Sequence, residues 1–246
     1  AAARQAMDLW AGVANINFTE MQDSNLLFLP EAGDIRWANS MVPPTALGYY
    51  PNQGGVSGDI WFGFGQGGKN QNPVSGGYGF ATFVHELGHA LGLNHPHEGN
   101  TPAVAGEDQL KYSIMSYRDF AGDSIDGYDT DFFPTTPMLN DILAIQWMYG
   151  ANWNYNNGDN FYFFNAASSV YQTIWDGGGV DTLSAFNQAE GCEIDLHSGQ
   201  WSKIGVAFDN GSGTLVRDCL TIAYGAVIEK ATGSGFNDRL VGNSAD

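Results

Sequence analysis

Positive charge is the scarcest commodity in this chain: 9 Lys and Arg stand against 27 Asp and Glu, a formal charge of −18. Such a field repels phosphate backbones and anionic headgroups, which excludes nucleic acid and membrane surfaces as partners. Cysteine is nearly absent too. Cys192 and Cys219 are the only two, with no Cys-x-x-Cys pair, so a thiolate zinc site is excluded. They read as one disulfide in an exported protein, or else as free buried thiols. No apolar run is long enough to span a bilayer. No glycine-rich loop ends in Lys-Ser or Lys-Thr, which leaves a nucleotide-phosphate function unsupported. The chain opens without a signal peptide and without a cap residue ahead of its first helix, and it ends as abruptly; both ends read as trimmed from a longer gene product.

What is present is a globular composition, 246 residues at 43% hydrophobic and 13% aromatic, enough for one large domain or two modest ones. The acidic surface suits a protein that works with calcium around it. Ala1 to Ala14 carries Ala3, Met7, Trp10 and Val13 or Ala14 on one stripe and reads as an amphipathic helix. Strand-like runs follow at Asn15 to Thr19, Asp34 to Ala38, Leu47 to Tyr49 and Asp59 to Phe64. A Gly- and Asn-rich loop from Gly65 to Gly77, either a connector or a mobile cleft rim, leads to a helix starting near Phe80. His97 to Pro134 is irregular, and its Asp119, Asp123, Asp126, Asp129 and Asp131 read as a solvated loop. Pro137 falls in the first turn of a helix that runs to Tyr149 and stops at Gly150. Beyond it no helix is expected, only brief β runs such as Tyr162 to Phe164, Val170 to Trp175 and Glu193 to Leu196. A domain boundary is therefore expected near 150, dividing the chain into 1–150 and 151–246.

The chemistry is concentrated in His85-Glu86-Leu87-Gly88-His89-Ala90-Leu91-Gly92-Leu93-Asn94-His95. Imidazoles four residues apart share one helix face, so both reach one ion. Glu86 follows the first ligand, where its carboxylate faces the open side of the metal. Gly92 tolerates positive φ and lets the chain swing His95 in from another direction. Three neutral nitrogens and one free position describe a catalytic zinc rather than a structural one. The short His-Glu-x-x-His pattern arises by accident in roughly one chain in a hundred of this size; the added glycine and third histidine make accident far rarer. His97 and His197 read as surface histidines.

Further along stands Ser113-Ile114-Met115-Ser116-Tyr117, and the chain closes on Gly233-Ser234-Gly235-Phe236-Asn237-Asp238-Arg239-Leu240-Val241-Gly242-Asn243, close to a glycine–aspartate nonapeptide repeat. With His95-Pro96, these segments make the chain resemble the serralysins, secreted bacterial metalloproteases of the metzincin clan, essentially end to end. The resemblance implies an α+β catalytic domain with a mixed twisted sheet and three main helices. An all-β portion would follow, the incomplete start of a calcium-binding β-roll or β-sandwich. It implies His85, His89 and His95 as zinc ligands, Glu86 as general base, Tyr117 as a displaceable zinc ligand that stabilises the oxyanion, and Met115 as an apolar floor. It also implies calcium on the side chains of Asn160, Asp176, Asp181 and Glu229 and on backbone oxygens of Asn156, Gly158, Gly178, Gly179 and Val227. Two positions depart from the family. Asn160 stands where a Thr is usual, though an amide oxygen is also a hard donor. Phe236 displaces the second glycine of the repeat, against a roll-type calcium site there.

The resemblance thus implies a secreted, extracellular zinc endopeptidase of broad specificity, a monomer whose partners are polypeptide substrates and a proteinaceous inhibitor. Asp59 to Phe64 is expected to be the edge strand that pairs with substrate backbone. Two rival readings are another metzincin branch, such as the astacin-like enzymes, and a catalytically silent calcium-dependent binding relative.

Overall fold

A computed structural model describes residues 1–21, 33–63, 73–99, 103–125 and 127–245. Phe64, residues 65–72 of the glycine-rich loop and Asp126 lie outside the described residues. Among the described residues three α-helices, α1 (Ala2–Val13), α2 (Tyr78–Ala90) and α3 (Leu139–Tyr149), and one 3-10 turn (Gly54–Val56) precede residue 150, and none beyond it is helical. Of the expected stripe α1 buries Trp10 and Val13, while Ala3 and Met7 are only partly buried and Ala2 and Ala6 take the inner places; Trp10 is fully enclosed and its indole N–H donates to Val84 O at 3.1 Å. None of the helices is long and apolar enough to cross a membrane.

The first sheet has the order β1 (Arg36–Ser40), β3 (Asp59–Gly63), β2 (Ala46–Gly48). β1 runs parallel to β3 and β2 antiparallel to it. β3 is therefore central, not the expected edge strand. Its period-2 pattern identifies a strand but says nothing of its neighbours. In space Ile60 is fully buried and Phe62 packs with Trp37 and Phe83 as a cluster of three rings, its centroid 5.9 and 4.1 Å from theirs and theirs 5.5 Å apart. Among the described residues the open antiparallel edge is β2. The expected strand at Asn15 to Thr19 does not form: Ala14 makes a single bridge to Ala151 and Asn15 N–H donates to Gly150 O, so this stretch closes onto the end of α3.

After Gly150 the chain builds short parallel ladders. β4 (Phe161–Phe163), β6 (Thr182–Ser184) and β12 (Lys230–Thr232) form one sheet, with β6 in the middle. β5 (Gln172–Ile174) pairs with β11 (Leu220–Ile222), and β7 (Glu193–Asp195) with β13 (Arg239–Val241). β8 (Trp201–Ser202) adds antiparallel to β11, and β9 (Phe208–Asp209) and β10 (Leu215–Val216) form a small hairpin. One continuous set of buried side chains runs from Ala2 on α1 to Ile228. Polar stitches join the two parts: Thr135 N–H to Tyr171 O at 2.9 Å, and Lys111 to Asp218 at 2.6 Å with its ammonium over the Trp201 ring. Cys192 and Cys219 are free buried thiols, correcting the disulfide reading. They enter different sheets, ahead of β7 and β11, and the Cys192 thiol turns to Glu190 O instead.

Pro137 lies before α3, not in its first turn; Met138 is the N-cap. What sets this start is Asp141, three residues into the helix. Its buried carboxylate accepts from Met138 N–H at 2.8 Å, from Ile114 N–H at 2.7 Å and from the Ser113 hydroxyl at 2.6 Å. One side chain thus caps the helix and pins the turn carrying Met115. Burial pushes its pKa up to about 6, against the pull of these donors. Removing it strands three buried donors at about 1 kcal/mol or more each. Asp141→Ala should therefore lose about 3 kcal/mol of stability in urea unfolding, and a loss below about 0.5 kcal/mol would show that the donors find other partners.

Candidate metal centre

α2 delivers two of the three imidazoles. His85 and His89 are one helical turn apart on its inner face, and both are buried. The helix ends after Ala90, and Gly92 at φ 106° turns the chain so that Leu93 N–H reaches back to Gly88 O at 2.9 Å. A side chain with a Cβ rarely adopts that φ, which is why the turn takes glycine. His95 then returns over the helix end. Its Nε2 stands 3.0 Å from that of His89 and 3.3 Å from that of His85. A tetrahedral ion with zinc–nitrogen bonds of about 2.0–2.1 Å sets its nitrogens about 3.3–3.4 Å apart. The spacing therefore fits such an ion.

The far side of each ring fixes which nitrogen is free. His85 Nδ1 lies 2.9 Å from Ile114 O and His89 Nδ1 2.7 Å from Leu93 O. A carbonyl accepts only, so each Nδ1 carries the proton and each Nε2 presents a lone pair. Burial holds all three histidines below the usual imidazole range, His89 at about 4. They are neutral at physiological pH, the form a metal requires.

Glu86 is buried on the same turn. Desolvation pushes its pKa up to about 7, while a hydrogen bond from Gly48 N–H pulls it down. Met115 is 1% exposed, and its Sδ sits 2.5 Å from where a Cβ on Gly88 would stand, so the glycine of the motif makes room for it. Tyr117 is 38% exposed; its ring centroid lies 4.2 Å from that of His95 and 5.6 Å from that of His85. Burial and the nearby Glu86 raise its pKa to about 12, so its hydroxyl stays protonated. Asp108 holds both its neighbours, accepting from the Ser116 hydroxyl at 2.7 Å and from Arg118 Nε at 2.9 Å.

Two sequence readings need correction here. His97 is no surface histidine: it is half-buried, and its ring lies parallel to His95 with centroids 5.3 Å apart. His197 is exposed, as expected. Asp119 does not belong to a solvated loop. It is 3% exposed, accepts from Asp129 N–H at 2.6 Å and Thr130 N–H at 3.0 Å, and burial pushes it up to about 6. Asp108, Asp141 and Glu98 escaped the sequence reading. The helix-start position of Asp141 and the i+3 spacing of Glu98 from His95 were the signals on offer.

The second group of expected residues also gathers. The Asn160 side-chain oxygen faces only acceptors, Asn156 O at 2.8 Å and Gly158 O at 2.5 Å. Oxygens this close repel unless a cation joins them or the amide rotates to donate. Asp181 accepts from Asn160 N–H at 2.6 Å, its other oxygen is buried without a partner, and its own N–H donates to Glu229 at 2.7 Å. Burial comes first in raising Asp181 to about 6, and the Asp176 and Glu229 charges add to it. Asp176 accepts from Gly178 N–H and from the Tyr162 hydroxyl, and Gly179 packs against Gly158 O. Val227, two residues before Glu229, is exposed. In the terminal repeat Asp238 is taken up by Ser234 N–H and Cys192 N–H, at 2.8 Å each.

Three neutral nitrogens aimed at one point beside a buried carboxylate form the donor set of a metal-dependent hydrolase. A family model described as Peptidase M66 matches residues 2–132, and one described as Peptidase M10 serralysin C terminal matches residues 141–246. Serralysin C of Dickeya chrysanthemi is 35% identical over 262 residues, covering 97% of this chain and 52% of its own length. Serralysin of Proteus mirabilis is 33% identical over 99% of the chain and 54% of its own length, and Metallopeptidase AprA of Pseudomonas marginalis 32% over 100% and 54%. The chain belongs to the Peptidase M66 family by the model that covers more than half of it, and its relatives and its C-terminal part make it a serralysin-like protein. It spans about half the length of these relatives.

Proposed function

We propose that the chain carries the catalytic centre of a secreted zinc endopeptidase that hydrolyses peptide bonds of extended polypeptides with broad specificity. The observation that carries this reading is the convergence of the His85, His89 and His95 Nε2 atoms at 3.0 and 3.3 Å with Glu86 buried beside them. These three rings would hold the ion. Bound there, zinc lowers the pKa of its water from about 15.7 to about 7 and polarises the scissile carbonyl.

The rest falls to the chain itself. Glu86, pushed up to about 7, accepts the proton of the attacking water and passes it to the leaving amine, and a group near neutrality serves both directions. The Gly48 N–H orients its carboxylate. The protonated Tyr117 hydroxyl donates to the oxyanion, where one donor is worth about 10²–10³ in rate. Met115 forms the apolar floor. Substrate backbone adds along the open edge of β2, which lies on the Glu86 side of the sheet through Gly48. Main-chain pairing reads little side-chain identity, which supports broad specificity.

Calcium is the proposed ligand of the second group: side chains of Asn160, Asp176, Asp181 and Glu229, with backbone oxygens of Asn156, Gly158, Gly178, Gly179 and Val227. The backbone oxygens of Asn156 and Gly158 that converge on the Asn160 amide and the orphaned Asp181 oxygen support it. The ladders that these loops connect are read as the start of a β-roll.

In a fluorogenic peptide assay Glu86→Gln should keep its zinc and lose about 10²–10⁴ in kcat; undiminished turnover removes Glu86 from the mechanism. Tyr117→Phe should lower kcat by about 10²–10³ with KM nearly constant, and a change confined to KM contradicts the oxyanion role. Calcium at a hundred times its Kd adds about 2.7 kcal/mol. Withdrawing it with a calcium-selective chelator, zinc being resupplied, should lower the Tm, and an unmoved Tm rules these sites out.

A further inference from the structure

The three imidazoles are not held alike. His85 and His89 each turn Nδ1 to a backbone carbonyl, at 2.9 and 2.7 Å. His95 has no carbonyl there. Its Nδ1 is buried, and the group nearest to it is the Glu98 carboxylate, with Oε1 at 3.0 Å. The approach is off the ideal N–H direction, so this is an ion-pair distance rather than a finished hydrogen bond, and nothing else competes for the nitrogen. The backbone brings Glu98 to this place: its own N–H donates to His95 O at 3.0 Å, one tight turn on. His97 is not an alternative partner. Its ring stacks flat on that of His95, and its Nδ1 lies 3.7 Å from Asp108.

We propose that Glu98 is a positioning residue for the metal, acting through His95. Its carboxylate accepts the Nδ1 proton, fixes the tautomer that aims the Nε2 lone pair at the ion, and makes this imidazole a more basic donor than the two held by carbonyls. The ring supplied by the loop, rather than by the helix, is the one that receives the charged support. A helix holds its side chains through its own geometry, whereas His95 stands beyond the Gly92 turn and depends on a partner. The proposal rests on the reading of His85, His89 and His95 as the zinc ligands.

His95, His97 and Glu98 also lie close enough together to be ligands of one ion. That arrangement takes Nδ1 of His95 as a ligand atom and leaves no proton for Glu98 to accept, so the two roles exclude each other.

The test is chelator competition for zinc on the full chain, comparing wild type with Glu98→Ala and Glu98→Gln, with zinc counted per chain by metal analysis. Glu98→Ala should weaken zinc binding by about 10–100-fold with the stoichiometry unchanged. Glu98→Gln keeps an acceptor oxygen without the charge and should fall between. The visible absorption bands of the Co(II)-loaded protein should shift in both variants. The Tm of the metal-free chain should stay put, since the Glu98 side chain is 46% exposed. Affinity within twofold of wild type in Glu98→Ala overturns the proposal, and so does loss of a second zinc equivalent with the first untouched. A wild-type chain that binds no zinc sinks the zinc reading itself, which separates the two failures.

Discussion

Three nitrogens share one point in space because the opposite side of each ring is already engaged. Ile114 O and Leu93 O take the Nδ1 side of two rings, the Glu98 carboxylate stands 3.0 Å from that of the third, and what remains is a cup of lone pairs in which His95 Nε2 lies 3.0 and 3.3 Å from its two neighbours. Much of the surrounding fold serves that arrangement. Ile114 is held by Asp141, Asp141 starts α3, and α3 closes onto the end of α1 through Gly150. Met115, on the same turn, fills the space left by Gly88 under the helix. The hydrophobic effect builds the core, but a few buried polar contacts decide where the rings point.

Two carboxylates on this scaffold are both pushed up by burial, Asp141 to about 6 and Glu86 to about 7, but they are held differently. Asp141 is buried and held by three donors that join a turn to the start of α3, so its task is structural. Glu86 is buried with a single backbone donor, and its pKa rises to about 7, where a proton is neither firmly held nor firmly lost. The difference between the two lies in the count of donors, not in residue type.

The local parts of this molecule were legible in the sequence. The spacing of His85, His89 and His95, the turn at Gly92 and the stop at Gly150 depend on residues within a few positions of each other. All three helices were legible, the first from its apolar stripe, the second from the spacing of His85 and His89, and the third from its stop at Gly150. Features that need a distant partner were not legible. Asp141 matters because Ser113 and Ile114 come to it from 28 and 27 residues away. β3 looked like an edge because alternation along a strand carries no information on what pairs beside it. Asp119 looked solvated because an aspartate-rich stretch gives no hint that its first member folds inward onto Asp129 and Thr130. Three of the short strands after Gly150, β4, β5 and β7, fall where β runs were expected; the others, of two or three residues, offer too short a pattern to be told from turns.

The shortage of cations noted at the outset has a consequence on the surface. Six of the nine Lys and Arg side chains, Arg4, Arg36, Lys111, Arg118, Lys203 and Arg217, are committed to carboxylates of the chain itself. What faces outward is therefore close to a single sign of charge. Two copies drifting together meet like fields, felt over about 8 Å at physiological ionic strength and farther in dilute salt. For a chain read as an endopeptidase, its own kind becomes prey held at a distance by charge, and added salt shortens that distance of mutual avoidance.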